Sequence, residues 1–133
     1  MKYLLDTNVC VDFLNRRYPS VTERIRRSSP EDLALSSVVV AELRYGADRS
    51  ARRGENHERL DFLTAELQCL DFDLAAARVY GHVRSALEAE GTPIGPYDMM
   101  IAAHALSQGL ILVTDNEREF RRISGLEIEN WRL

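Results

Sequence analysis

The chain contains little cysteine, one lysine and no long apolar run, and each shortage excludes a class of protein. Its two cysteines, Cys10 and Cys69, lack the spacing of a metal motif and stand among apolar neighbours. They are predicted to be reduced packing residues of a cytoplasmic protein. No uncharged stretch approaches the roughly 18 apolar residues of a membrane span. Asp6 interrupts the first apolar run so early that no signal peptide is expected.

The balance of charged residues limits how the chain can bind nucleic acid. Lys2 is the only lysine among 17 basic side chains, the others are arginine, and the net charge is −4. Arginine pairs bidentately with phosphates and carboxylates, but an arginine excess also arises from genome composition alone. The acidic total disfavours a protein that binds nucleic acid by charge alone. It allows an enzyme whose acidic site is neutralised by bound cations.

The sequence also lacks the glycine motifs of nucleotide-binding proteins. It has neither a P-loop nor a G-x-G-x-x-G run, which argues against a nucleotide binder. It shows no internal repeat, low-complexity tract or interdomain linker. A chain of 133 residues is long enough to bury one core, so residues 1–133 are predicted to form a single domain.

Short apolar runs alternate with helical patterns along the chain. The predicted strands are 3–5, 33–35, 69–70, 110–113 and 126–129. The predicted helices are 9–14, 21–27, 37–47, 58–68, 74–90, 96–107 and 117–122, with residues 49–57 as a polar loop or helix end. Ser36 or Ser37 and Asp73 are the expected helix caps. The pattern predicts an α/β fold of three layers, with a central parallel sheet of about four to five strands.

Four carboxylates interrupt these apolar patterns: Asp6, Glu42, Asp98 and Asp115. The first and last follow predicted strands, and the other two lie on inward-facing stripes of predicted helices. Tyr45 shares the stripe of Glu42 and is expected to face inward with it. Because functional crevices of open α/β sheets lie beyond the carboxyl ends of the strands, the four acids are expected to converge there.

Carboxylates within apolar surroundings indicate a metal site. An isolated buried anion is so costly that it must pair, become protonated or bind a cation. Hard cations such as Mg²⁺ or Mn²⁺ usually resolve the repulsion among several carboxylates, and they activate water for displacement at phosphorus. This is nuclease chemistry. Taken singly, Asp98 suits a helix dipole and Asp6 or Asp115 suits a turn, but Glu42 has no capping role in mid-helix.

Five segments carry a family resemblance: 4–8 (LLDTN), 36–47, 93–98, 112–120 and 125–131. In this order and at these separations they resemble PIN-domain ribonucleases, specifically the VapC-type toxins of bacterial toxin–antitoxin pairs. The resemblance covers essentially the whole chain. It implies an endoribonuclease that depends on Mg²⁺ or Mn²⁺.

The resemblance also implies roles for particular residues. Asp6 and Asp98 would be the principal metal ligands, and Glu42 would bind the metal directly or through water. Thr7 and Thr114 would orient the carboxylates or a metal-bound water by hydrogen bonding.

The fourth acid departs from the commonest PIN pattern. That pattern has an aspartate where this chain has Asn116. Asp115 or Glu119 would supply the charge instead, and the position of Asp115 at the strand end favours it as the fourth catalytic acid.

The implied partners follow from the same resemblance. The substrate would be RNA, with the anticodon loop of initiator tRNA as a hypothesis, and its cleavage would stop translation. A VapB-like antitoxin would wrap the toxin and insert an arginine among the acids. A homodimer and a toxin–antitoxin hetero-oligomer would be typical assemblies.

Two other classes of function remain open. A phosphoryl-transfer protein of the receiver or haloacid-dehalogenase type shares the layout, but normally needs a lysine late in the chain, where this one has none. A non-catalytic PIN-like binding module is the second alternative, disfavoured because the usual acids are present.

Overall fold

The computed structural model describes residues 1–133 as helices packed around one sheet. The strands are β1 (Tyr3–Leu5), β2 (Leu33–Ser36), β3 (Gln68–Leu70), β4 (Ile111–Val113) and β5 (Ile128–Glu129). The helices are α1 (Thr7–Asn15), α2 (Pro19–Arg27), α3 (Ser37–Arg49), α4 (Arg53–Glu66), α5 (Leu74–Ala89), α6 (Pro96–Gln108) and α7 (Glu117–Phe120). A 3-10 turn at Pro30–Asp32 precedes β2. None of the helices has the length and apolar character needed to span a membrane.

The five strands run parallel in the order β3-β2-β1-β4-β5, which confirms the predicted α/β fold. The chain moves outward from β1 to β3 and then returns to the other side of β1 as β4. The strand order therefore reverses between β1 and β4, where open α/β sheets place their functional crevice. Leu5 pairs with Val113 in register, so both strands end at the same level.

The inner strands are buried on both faces, which explains their continuous apolar runs.

Three side chains cap the N-termini of helices at the carboxyl edge of the sheet. Asp6 caps α1, Ser36 caps α3 through the amide of Val38, and Asp73 caps α5 through the amide of Ala76. The last two confirm predicted caps. Local hydrogen bonding therefore sets where the first turns of these helices begin.

The structure corrects three predictions of burial. The apolar spacing of the helix predicted over 74–90 indicates that Leu74 and Ala77 face inward. Both are exposed, Leu74 at 90%, because α5 packs through a stripe that includes Val83 and Leu87. Cys69 is exposed, whereas Cys10 is buried as expected. The reason for the error at Cys69 is that β3 is an edge strand, where one side of the ladder is unprotected.

Helix α4 also starts earlier than predicted. It begins at Arg53, within the segment assigned to a polar loop or helix end. Its first turns are mostly exposed, and Leu60 and Leu63 farther along are buried. An exposed polar turn gives no apolar periodicity, so the sequence pattern could not mark this start.

Candidate active site

Asp6 lies where β1 ends beside β4, and its carboxylate is held at both oxygens. Oδ1 accepts the amide hydrogen bond of Thr7 at 2.8 Å, and Oδ2 accepts the hydroxyl of Thr114 at 2.7 Å. The side chain is buried, at 5% exposure. Burial raises the pKa of Asp6 above its ordinary value, although these hydrogen bonds oppose the rise. Asp6 is therefore fixed in orientation before any ligand arrives.

Glu42 reaches the same place from α3. Its Oε1 accepts a 2.7 Å hydrogen bond from the hydroxyl of Thr7. Thr7 thus donates its amide to Asp6 and its hydroxyl to Glu42. These hydrogen bonds have the orienting geometry that the family resemblance implies for the two threonines.

Asp98 approaches from the first turn of α6, which begins with Pro96. The pKa of its half-buried carboxyl rises to about 6, first because of burial and then because of repulsion from Asp6 and Glu42. None of these three acids forms a salt bridge within the chain. The fold therefore brings together carboxylates that repel one another and have no cationic partner.

Two candidates for the fourth acid lie near this group. Asp115 accepts hydrogen bonds from Arg132 at 3.1 Å and from Asn8 at 3.3 Å. Glu119 accepts one from the side chain of Asn116 at 3.1 Å. Both contribute to the raised pKa of Asp98, Glu119 more than Asp115. Asp115 differs from the other acids because a cationic side chain already pairs with it.

The donor set suits a hard divalent cation, because Asp6, Glu42 and Asp98 offer carboxylate oxygens and no competing internal cation. No three histidine, cysteine or acidic side chains stand close enough to enclose an ion by themselves. Mg²⁺ does not require such a cage, since it keeps several waters and binds through one or two carboxylates. The chemistry of the residues fits this kind of ion.

An ion pair between the buried Asp12 and the partly exposed Arg132 lies beside the site and was not foreseen from the sequence. Asp12 on α1 is 1% exposed, and Arg132 binds both of its oxygens, at 2.7 and 3.1 Å. The Arg132 guanidinium also lies 4.4 Å from the ring centroid of Tyr18. Asp12 interrupts an apolar run just as Asp6 does, so the same signal was available for it.

The family assignment follows from comparison with known proteins. The PIN domain model matches residues 3–126. The tRNA(fMet)-specific endonuclease VapC of Shigella flexneri is 41% identical over 131 residues, which is 98% of each chain. The chain is a VapC-type member of the PIN-domain family.

Other relatives of this PIN domain agree in sequence and in fold. Ribonuclease VapC2 of Rickettsia felis is 39% identical over 132 residues, 98% of each chain. The crystal structure of DNA-bound VapBC from Salmonella typhimurium matches with a TM-score of 0.93 at 40% identity, again over 98% of both chains. The family resemblance stated from the sequence is confirmed.

Asp98 makes the stability of the cation-free PIN domain depend on pH. In the folded state the pKa of Asp98 is about 6, above the ordinary value of 3.8 that applies to the unfolded chain. Between these two pH values the folded state therefore holds a proton that the unfolded state has released. The stability that this bound proton contributes is fully present below pH 3.8 and is lost as the pH rises through about 6. We expect Asp98→Asn to raise the melting temperature at neutral pH and to have little effect near pH 4.

Thermal unfolding in a chelating buffer across this pH range measures the effect. Asp32→Asn is the control, because Asp32 precedes β2 at the opposite edge of the sheet. A difference between Asp98→Asn and the parent protein that stayed constant at every pH would contradict the expectation.

Proposed function

We propose that this PIN domain is the endoribonuclease toxin of a VapBC-type toxin–antitoxin pair and that residues 1–133 act as one domain. The observation that carries the proposal is the group of unpaired carboxylates formed by Asp6, Glu42 and Asp98. Such a group lowers the stability of the fold through repulsion, so its presence indicates a function in binding. The 41% identical relative is itself named as an endonuclease.

Mg²⁺ or Mn²⁺ is the proposed cofactor, with Asp6 and Asp98 as principal ligands and Glu42 as a direct or water-mediated ligand. When bound, such an ion supplies an activated water and offsets charge at phosphorus. Thr114 holds Asp6 and Thr7 holds Glu42, so these two carboxylates need little reorganisation. We propose hydrolysis that leaves a 5′-phosphate and a 3′-hydroxyl.

We assign the fourth catalytic position to Asp115, with Glu119 as the alternative. Asn8 and Arg132 hold Asp115 through its two oxygens, which keeps its charge beside the cluster. The Asp115 charge is paired with Arg132, whereas Glu119 has no cationic partner and raises the pKa of Asp98 more than Asp115 does. Asn116 itself carries no charge and instead donates its side-chain amide to Glu119.

The proposed substrate is initiator tRNA, cut in the anticodon loop, and the proposed site of action is the cytoplasm, where that RNA is used. The support is the Shigella relative, which is named as tRNA(fMet)-specific. The test is to expose purified total RNA to the protein with Mg²⁺ or Mn²⁺ and to sequence the new ends. We expect new 5′-phosphate ends in initiator tRNA. Intact initiator tRNA together with other cut RNAs would overturn this substrate and leave the ribonuclease function standing.

The proposed partner is a VapB-like antitoxin, as in the matching VapBC complex. An apolar groove of about 350 Å³ between α1, α2 and α4 is a surface, apart from the acids, on which such a partner would bind. Phe62 lines this groove and is 69% exposed. An amphipathic segment of a partner would cover it. We also propose a homodimer and a hetero-oligomer with the antitoxin.

A non-catalytic PIN-like module remains the competing function. It predicts that Asp6→Asn leaves both RNA cleavage and growth arrest unchanged.

A phosphoryl-transfer role would require a phosphoaspartate on Asp6. Mass spectrometry after incubation with a phosphodonor detects such a group.

A further inference from the structure

A cavity of about 770 Å³ adjoins the carboxylates and extends away from them. Thr7 and Glu42 line it, together with Tyr45 of α3 and with Tyr97 and Met100 of α6. We call it the tyrosine cleft. Its volume is within the range of about 300 to 1,000 Å³ that proteins use for small ligands. The cleft shares two residues with the site, so an RNA strand whose phosphate reaches the acids lies next to it.

Both tyrosines of the cleft are exposed. Tyr45 is 64% exposed, which corrects the expectation that it faces inward with Glu42. Tyr97 is 59% exposed, while the adjacent Asp98 is half-buried and Met99 is buried. Large aromatic side chains gain most of their stabilisation from burial. Core packing therefore does not explain why both rings stand in solvent beside the same site.

A cation accompanies one of the rings. The Arg49 guanidinium lies 5.9 Å from the ring centroid of Tyr45, and Arg49 donates a 3.4 Å hydrogen bond to its hydroxyl. The Tyr45 ring thus has a positive group beside it, whereas the charged residue that lines the cleft itself is Glu42. Aromatic platforms with nearby arginine are how proteins bind single-stranded nucleic acid.

The net charge of the protein gives it little long-range attraction for RNA, so base stacking would contribute a larger share of the binding. The net charge is −4, and the catalytic acids themselves repel phosphate. Long-range attraction to the RNA backbone is correspondingly weak. Stacking of a base on an aromatic ring does not depend on net charge and contributes about 1 to 3 kcal/mol per base.

We propose that the tyrosine cleft binds unstacked nucleobases next to the scissile phosphate, with Tyr45 and Tyr97 as the stacking platforms. Bases in a duplex cannot reach such rings, whereas bases in a loop can be splayed out onto them. The cleft would therefore select single-stranded loops over helical RNA. This inference rests on the proposed ribonuclease function and specifies how its substrate is recognised.

The experiment compares kcat and KM on a synthetic RNA hairpin, with the fully paired duplex as a second substrate. The variants are Tyr45→Ala, Tyr97→Ala, Tyr45→Gln, Tyr45→Phe and Tyr97→Phe. We expect the alanine and glutamine variants to raise KM about 5- to 100-fold with little change in kcat, because each removes one stacking ring. The phenylalanine variants keep the ring and should stay near the parent protein. Leu74→Ala is the control, because Leu74 is a 90% exposed large apolar side chain of α5 that lines neither the cleft nor the groove.

The outcomes separate this inference from the proposed function. Alanine and glutamine variants that cleave the hairpin with parental KM would overturn the stacking role and leave the ribonuclease intact. No cleavage by the parent protein with Mg²⁺ or Mn²⁺ would overturn the ribonuclease function itself. Sedimentation of each variant tests whether a second copy of the chain, and not RNA, occupies the cleft. A loss of dimer that accompanies the loss of activity would make the cleft an interface between copies and overturn the proposal.

Discussion

Asp98→Asn is expected to lower the rate of RNA cleavage by at least about 100-fold while the fold is retained. Asparagine has nearly the shape of aspartate but no negative charge, so it weakens the binding of a divalent cation. Like Asp6 and Glu42, Asp98 has no cationic partner within the chain, and burial and neighbouring acids both raise the pKa of its carboxyl to about 6. Cleavage of the RNA hairpin at a fixed Mg²⁺ concentration measures the loss.

Asp32→Asn controls for the change of residue type, since it makes the same substitution at the amino edge of the sheet. It should cleave at the parental rate. Isothermal titration with Mn²⁺ supplies a second readout, because the loss of a ligand should weaken binding of the metal as well as catalysis. Parental cleavage by Asp98→Asn at limiting metal would contradict the assignment of Asp98 as a ligand.

Arg132→Ala is expected to destabilise the protein by about 3 to 5 kcal/mol. Arg132 binds both oxygens of the fully buried Asp12 and a third carboxylate oxygen, on Asp115. Its removal leaves the Asp12 carboxylate buried without a partner, and desolvation of an unpaired charge is among the largest single costs in a fold. Urea denaturation followed by circular dichroism gives the change in the free energy of unfolding.

A double-mutant cycle distinguishes this cause from the loss of packing against Tyr18. Asp12→Asn combined with Arg132→Ala removes the orphaned charge, so it should be more stable than Arg132→Ala alone. Arg121→Ala is the surface control, because Arg121 pairs with Glu117 in an exposed i,i+4 bridge that contributes well under about 1 kcal/mol. Equal losses for Arg132→Ala and Arg121→Ala would contradict a special cost of leaving the buried Asp12 carboxylate unpaired.

Several elements of the site follow directly from local sequence. Pro96 at the start of a helix places Asp98 in the first turn, because proline suits that position and its neighbours then follow helical spacing. Ser36 ends β2 and caps α3, which sets the turn on which Glu42 lies. Asp6 follows a strand that is apolar throughout. In each case a few adjacent residues are sufficient to predict where the acid lies on its element, since caps and strand ends depend on local hydrogen bonds.

Predictions of side-chain direction were less successful where more than one face of an element was apolar. On α5, the small residues around Leu74 allow several inward stripes, and packing against α6 selected another one. Tyr45 shares a helical stripe with Glu42, but α3 packs on the core through Leu43 and Ala47, which leaves Tyr45 exposed. Whether Leu74 or Tyr45 is exposed depends on which element packs opposite it, and the residues adjacent in sequence do not determine that.

The amino-acid pattern by itself determined the succession of strands and helices, the acids that interrupt them and the family to which they belong. These properties depend on backbone period, capping and motif order, which act over a few residues at a time. Only the tertiary structure decided that Arg132 neutralises Asp12, 120 residues away along the chain. It also decided that two tyrosines from different helices line one cleft beside the acids. Both depend on how separate elements pack, because contact between distant residues is set by the geometry of the whole sheet and its covering helices.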